Sequence, residues 1–206
     1  MENSAVTNLM IAGVGGQGSI LTSHLLTQTA IKVGKEVKLA ETFGAATRGG
    51  SVMAHIRIGE VWAPMMSEDE ADFILGLEPL EALRVGVEYI KPGGWVILNT
   101  VPWVPVDVYR GGAIYPSVEE IVAALKQLGA QVVTVNATAL AIEAGDARAA
   151  NSVLLGILFA TGMLALDEAK LIEAMRERWS EKVFKLNQEA FALGKAYYQK
   201  YNLERY

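Results

Sequence analysis

The chain has 206 residues, is 51% hydrophobic and 20% charged, and carries a formal net charge of −5. That length suits one soluble domain able to bury its own core, and the acidic balance argues against nucleic-acid or anionic-membrane binding, which needs a basic surface. Cysteine is absent and only His24 and His55 supply imidazoles. Disulfides, thiolate-ligated iron–sulfur clusters and a cysteine nucleophile are therefore excluded, and a histidine-rich metal site is not expected.

The opening MENSAVTNLM lacks a basic stretch followed by a long apolar run, so no signal peptide is expected and the cytoplasm is the default location. Thr7–Ala12 reads as a buried strand. Gly13–Gly18 is a glycine turn, and Ser19–Val33 has apolar residues at helical spacing that stop at Gly34. Glu36–Glu41 reads as a second strand, so the opening is a βαβ unit whose right-handed crossover makes the two strands parallel. Ser51–Ile58 alternates as a strand should. Ala71–Leu77 is a buried strand followed by a short helix over Pro79–Arg84, and KPGG at 91–94 signals a turn before the strand Trp95–Asn99. Ser117 with Glu120 three residues on forms a capping box for a helix ending at Gly129, and Gln131–Asn136 is a further strand. From Ala137 onward the pattern is helical. The apolar run at 152–166 is shorter than the roughly 18 residues that suggest a membrane span.

Strands alternating with helices give an α/β fold: a Rossmann-like layered domain with a mostly parallel sheet and a helical C-terminal tail. One domain is expected over 1–206, with the sheet core in 1–136 and the helical part in 137–206.

Gly13-Val14-Gly15-Gly16-Gln17-Gly18 matches G-x-G-x-x-G between a strand and a helix. Such a turn lets backbone N–H groups and the positive helix end face a carboxylate or phosphate. The same glycines can also serve only tight strand-to-helix packing. Glu41, 23 residues past Gly18, occupies the slot where a dinucleotide fold keeps its ribose-binding acid, so an independent NAD- or flavin-binding protein is one reading. Against it, no hydride-transfer site is evident, and His24 and His55 read more naturally as packed or surface residues than as bases. A non-catalytic interaction module is a third reading.

Downstream, ETFGAATRGGSVMAH places Thr42 at a strand end and Arg48 before Gly49 and Gly50. An arginine beside two glycines can offer its guanidinium and nearby N–H groups to an anion, or simply pair with a neighbouring acid. Glu81 and Arg84 stand at i, i+3 near Glu78, a salt-bridge pattern rather than a paired-carboxylate site. Asn99-Thr100 either lines the edge that carries the glycine turn or satisfies a local turn. The apolar helix of NSVLLGILFATG and the aromatics Phe184, Phe191, Tyr197, Tyr198 and Tyr201 serve either the core or a partner interface.

Taken in order, GVGGQG, ETFGAATRGGSV, HIRIG, LGLEPLEALR, PGGWVILNT and NSVLLG resemble the gamma-type subunit or domain of 2-oxoacid:ferredoxin oxidoreductases, and within that group the branch of indolepyruvate ferredoxin oxidoreductase beta subunits. The resemblance runs from about Ile11 to about Gly194, with Phe43 and Ala45–Thr47 departing from the pattern. It implies a non-redox subunit, inactive alone and without catalytic or metal-binding residues of its own. The complex would decarboxylate a 2-oxoacid oxidatively to an acyl-CoA and pass electrons to ferredoxin. Thiamine diphosphate, Mg and iron–sulfur clusters are expected on a partner subunit, with ferredoxin met only indirectly and a homodimer open to the isolated chain. The cofactor-binding set expected here is Gly13, Gly15, Gly16, Gln17 and Gly18 as an anion cradle, with Thr42, Arg48, Gly49 and Gly50 beside it, and a phosphate-bearing part of coenzyme A as its guest.

Overall fold

The structure, a computed structural model, describes residues 6–44, 49–104, 108 and 110–203. Among the described residues the sheet has six strands in the order β2-β3-β1-β4-β5-β6, formed by β1 (Thr7–Val14), β2 (Val37–Phe43), β3 (Ser51–Ile58), β4 (Ala71–Gly76), β5 (Ile90–Asn99) and β6 (Gln131–Val135). β1, β4, β5 and β6 pair in parallel, whereas β3 runs antiparallel to both β1 and β2. The fold is thus the mostly parallel α/β sheet expected, and β3 makes it mixed. β1 and β2 do run in the same sense, but β3 sits between them.

The helices are α1 (Ser19–Lys32), α2 (Pro79–Tyr89), α3 (Val118–Gln127), α4 (Ala137–Glu143), α5 (Ala150–Ala160), α6 (Glu168–Arg178) and α7 (Glu181–Leu203), with a 3₁₀ turn at Ala147–Ala149. Alternation along the buried strands sorts side chains onto two faces. Leu9, Ile11, Leu75, Ile97 and Val133 meet α1 and the helices from α4 to α7, while Met10, Ala12, Ile74, Val96 and Leu98 meet α2 and α3. The capping box at Ser117 and Glu120 forms as the sequence indicated. KPGG makes no chain reversal. Those residues are an irregularity inside β5, where Ala71 faces Ile90 but Phe73 already faces Trp95, and Gly93 takes φ 81.

The C-terminal aromatics dock on the core: Phe184, Phe191 and Tyr198 are buried. Tyr197 donates its hydroxyl to the Thr134 carbonyl at 2.7 Å and Tyr201 to that of Val132 at 3.3 Å, covering polar groups on the outer edge of β6 that could otherwise recruit another strand. No helix among the described residues is long and apolar enough to cross a membrane; α5, the apolar helix, ends at Ala160. His55 is fully buried against the Tyr89 ring and accepts the Met66 amide at Nδ1. Burial holds its pKa below the usual value of 6.5, so it is a neutral core residue.

α5 and α7 touch backbone to backbone. A Cβ on Gly156 would stand 2.1 Å from the Phe191 carbonyl oxygen, and one on Gly194 2.0 Å from that of Val153. Because both obstacles are main chain, no rotamer change relieves the clash and the helices must separate. Gly194→Ala is expected to cost about 3 kcal/mol of stability, the upper end for overpacking, read by urea denaturation; a loss under about 0.5 kcal/mol, the range of neutral surface changes, would contradict backbone contact at the α5–α7 crossing.

Candidate functional site: the glycine turn and its cleft

α1 follows β1 onto one face of the sheet and α2 follows β4 onto the other. β1 and β4 are neighbours, so a topological switch point opens between their carboxyl ends, where α/β sheets place ligands. The glycine turn fills one lip of that crevice.

Local sequence explains its shape. Gly16 and Gly18 take φ of 101° and 82°, a region side chains avoid. At Gly13 a Cβ would lie 2.9 Å from Gln17 Oε1 and 3.1 Å from both Leu77 Cβ and Ser19 Oγ. Gln17 folds back under the turn: its Oε1 accepts from the Val14 amide at 2.9 Å, and its Nε2 donates to the Leu77 carbonyl at 3.4 Å. Asn99 Nδ2 donates to the same carbonyl at 3.3 Å while its Oδ1 accepts the Ala137 amide. Asn99 therefore joins the ends of β4 and β5 to α4 at the ligand edge.

The turn's hydrogen bonds are lopsided. Val14 O accepts from Gln17 N, Gly15 O from Gly49 N, and Gly18 O from both the amide and hydroxyl of Thr22. Gln17 O accepts from Asn151 Nδ2 at 2.8 Å, and that amide also reaches Thr22 Oγ1 at 3.0 Å. By contrast, the N–H groups of Gly16, Gly18, Ser19, Ile20 and Leu21 find no acceptor among the described residues. Free donors gather where the α1 dipole adds positive potential, which is the chemistry of an anion seat.

Around this seat lies a cleft of about 870 Å³. Leu25, Leu155, Trp179 and Leu186 give it apolar walls, while Asn99, Asn151, Arg148 and Lys182 supply polar groups. Arg148 is held by Asp146 through its Nε and Nη2 groups, and the guanidinium keeps that carboxyl down at about 2. Trp103 closes one side. Its amide donates to Glu78 Oε1, which also accepts the Tyr115 hydroxyl, while Glu78 Oε2 caps α2 through the Glu81 amide. Glu78 is thus a buried brace, and Glu81 pairs with Arg84 at 2.6 Å.

Of the expected set, the structure joins Gly15 to Gly49 and Gly50: Gly15 N donates to Gly50 O at 2.8 Å and Gly49 N to Gly15 O at 3.2 Å. Arg48 lies outside the described residues. Thr42 stands on β2 opposite Met53 of β3, with β3 between it and β1, about 9–10 Å of strand spacing away. Glu41 is drawn off as well, since Ser23 Oγ donates to its Oε1 at 2.6 Å and His24 lies 3.8 Å from it. Adjacent placement of β1 and β2, which lets a dinucleotide's ribose reach the acid, is missing. Sequence reasoning passed over Asn151, Arg148, Lys182 and Trp103. For Asn151 a signal existed, an amide side chain in the first turn of an otherwise apolar helix.

Residues 8–197 match the family described as pyruvate ferredoxin/flavodoxin oxidoreductase, and the chain belongs to that family. It is 40% identical over 187 residues to the indolepyruvate oxidoreductase subunit IorB of Archaeoglobus fulgidus, spanning 91% of this chain and 92% of that one. Among solved structures, it superposes on the gamma subunit of a keto/oxoacid ferredoxin oxidoreductase from Geobacter sulfurreducens with a TM-score of 0.68 and 23% identity, covering 94% of this chain and 99% of the other; that likeness is one of fold. The 2-oxoglutarate:ferredoxin oxidoreductase of Magnetococcus marinus, solved with 2-oxoglutarate, coenzyme A and succinyl-CoA bound, gives a TM-score of 0.72 at 26% identity. There the match covers 95% of this chain but 31% of the longer polypeptide.

Asn151 fixes the orientation of the Gln17–Gly18 peptide, because a planar trans peptide bonded at its carbonyl points its N–H the other way. Asn151→Ala is expected to lower stability by about 1–2 kcal/mol, since it strips a donor from a part-buried carbonyl. Asn151→Asp, which sets a carboxylate against that carbonyl, should cost more. Urea denaturation of the three proteins checks this order, and equal stabilities would remove Asn151 from the turn's support.

Proposed function

We propose that this chain is the gamma-type, non-redox subunit of a 2-oxoacid:ferredoxin oxidoreductase acting on indolepyruvate or another aryl pyruvate, and that it works in the cytoplasm as one domain. In that complex carbon dioxide leaves the 2-oxoacid, the coenzyme A thiol takes up the acyl group, and two electrons pass to ferredoxin. Thiamine diphosphate, Mg and iron–sulfur clusters belong to the partner subunit in this reading, in keeping with a sequence that has no cysteine. This chain seats coenzyme A. The N–H groups at the start of α1 that lack an acceptor among the described residues hold a phosphate, Gly49 and Gly50 brace the turn, Arg48 holds a second anionic group, and the cleft takes the rest of the ligand.

The observation that carries the reading is the set of N–H groups on Gly16, Gly18, Ser19 and Ile20 that find no acceptor among the described residues, at a turn whose Gly16, Gln17 and Gly18 line a cleft of about 870 Å³, a size suited to an elongated ligand. Membership of the oxidoreductase family supports the reaction class, and the name of the Archaeoglobus relative supports the aryl substrate. A free-standing NAD or flavin protein is disfavoured by Glu41 being bonded to Ser23 on a strand not adjacent to β1.

Co-expression with a thiamine-diphosphate-binding subunit of an indolepyruvate oxidoreductase from the same source is expected to yield a stable complex that oxidises aryl pyruvates only when both chains are present. Calorimetry on the complex should then show coenzyme A binding and no NAD, NADP or FAD binding. Failure to form a complex, or NAD binding abolished by Glu41→Ala, would overturn the proposal.

A further inference from the structure

At the opposite edge of the sheet from the glycine turn, residues 59–70 link β3 to β4 and carry an unusual surface. Trp62 is 101% exposed and Met65 44%, with Ala63 and Pro64 exposed between them. Four consecutive exposed apolar residues make a contiguous patch, the kind of surface that marks interaction sites, and Trp and Met are enriched at such interfaces.

The loop beneath it is tied down. Arg57 donates through Nε to Asn8 Oδ1 at 3.0 Å and through Nη1 to the Met65 carbonyl at 3.1 Å, and Nη2 lies 3.2 Å from Glu70 Oε2. Glu70 Oε2 also accepts the Ser67 amide at 2.9 Å, and Asn8 Nδ2 donates to the Glu70 carbonyl at 3.1 Å. Met66 is buried as a plug. Trp62 is therefore presented on a preorganised support, which lowers the entropy lost on binding.

Charge selects the occupant. Residues 59–70 hold Glu60, Glu68, Asp69 and Glu70 and no Lys or Arg. Glu70 is engaged by Arg57, while Glu60, Glu68 and Asp69 are exposed and make no ion pair among the described residues. A second copy of this chain related by a two-fold axis would bring these acidic rims together, which is unfavourable. We infer that Trp62 and Met65 form an anchor for a different protein surface, an apolar pocket ringed by lysine or arginine on the partner subunit of the oxidoreductase. This rests on the subunit reading above. Because the anchor sits at the edge remote from the cleft, docking leaves the ligand seat open.

The test measures association of the full chain with the thiamine-diphosphate-binding subunit used above by biolayer interferometry, at about 50 mM and about 300 mM salt, between which the screening length falls about 2.4-fold. Trp62→Ser is expected to weaken binding about thirtyfold, as loss of a central aromatic anchor does, with an unchanged melting temperature because the side chain packs on nothing. The double variant Glu60→Lys, Glu68→Lys should slow association and flatten its salt dependence. Trp62→Ser binding within about twofold of the unaltered chain, or a self-dimer of the unaltered chain that Trp62→Ser dissolves, would overturn the inference while leaving the subunit reading intact. No binding by the unaltered chain would overturn both.

Discussion

The site depends on an imbalance in how one turn spends its hydrogen bonds. Between β1 and α1, the carbonyls of Val14, Gly15, Gln17 and Gly18 each meet a donor from the protein, while the amides of Gly16, Gly18, Ser19, Ile20 and Leu21 meet no acceptor among the described residues. Orienting the carbonyls orients the amides, since the peptide plane links them. The result is an array of donors fixed in orientation at the positive end of a helix.

That array is held from four directions. Gln17 reaches Leu77 at the end of β4, Gly15 is laddered to Gly49 and Gly50, Thr22 closes the first helical turn, and Asn151 reaches across from α5. The last tie is stiff because α5 itself is locked to α7, with Gly156 and Gly194 letting the two backbones meet. Ser152 continues the line by donating to Asn187 Oδ1 on α7 at 2.7 Å. The cleft thus has walls from α1, α5 and α7 that move together, and close packing far from the ligand edge supports the geometry at it.

Much of this was legible in the chain. Local signals fixed the elements: the glycine run between strand and helix, the Ser117–Glu120 box, and the apolar runs that became β1, β4, β5 and β6. Position in the sheet was not legible. The crossover rule made β1 and β2 parallel, which they are in sense, but nothing local to β3 tells that it inserts between them, because pairing partners are chosen by the whole sheet. That one insertion decides the site. It carries Thr42 away from the turn and makes the spacing of Glu41 misleading. Asn151, Arg148 and Lys182 escaped for a similar reason: they are remote in sequence from the glycines and join them only through tertiary packing. Gly49 and Gly50 do lie beside the turn, where they are backbone hydrogen-bond partners of Gly15. KPGG read as a turn because its residue types favour one, and the parallel pairing on either side of it kept the strand direction.

The most direct measurement is a coenzyme A titration followed by amide resonances of the ¹⁵N-labelled chain. Seating a phosphate on the start of α1 predicts that the signals of Gly16, Gly18, Ser19 and Ile20 move together, in proportion to occupancy, while the already bonded amides of Val14 and Gly15 stay nearly still. If those four amides do not respond while resonances elsewhere do, the turn is only a packing device and the ligand, if any, sits somewhere else.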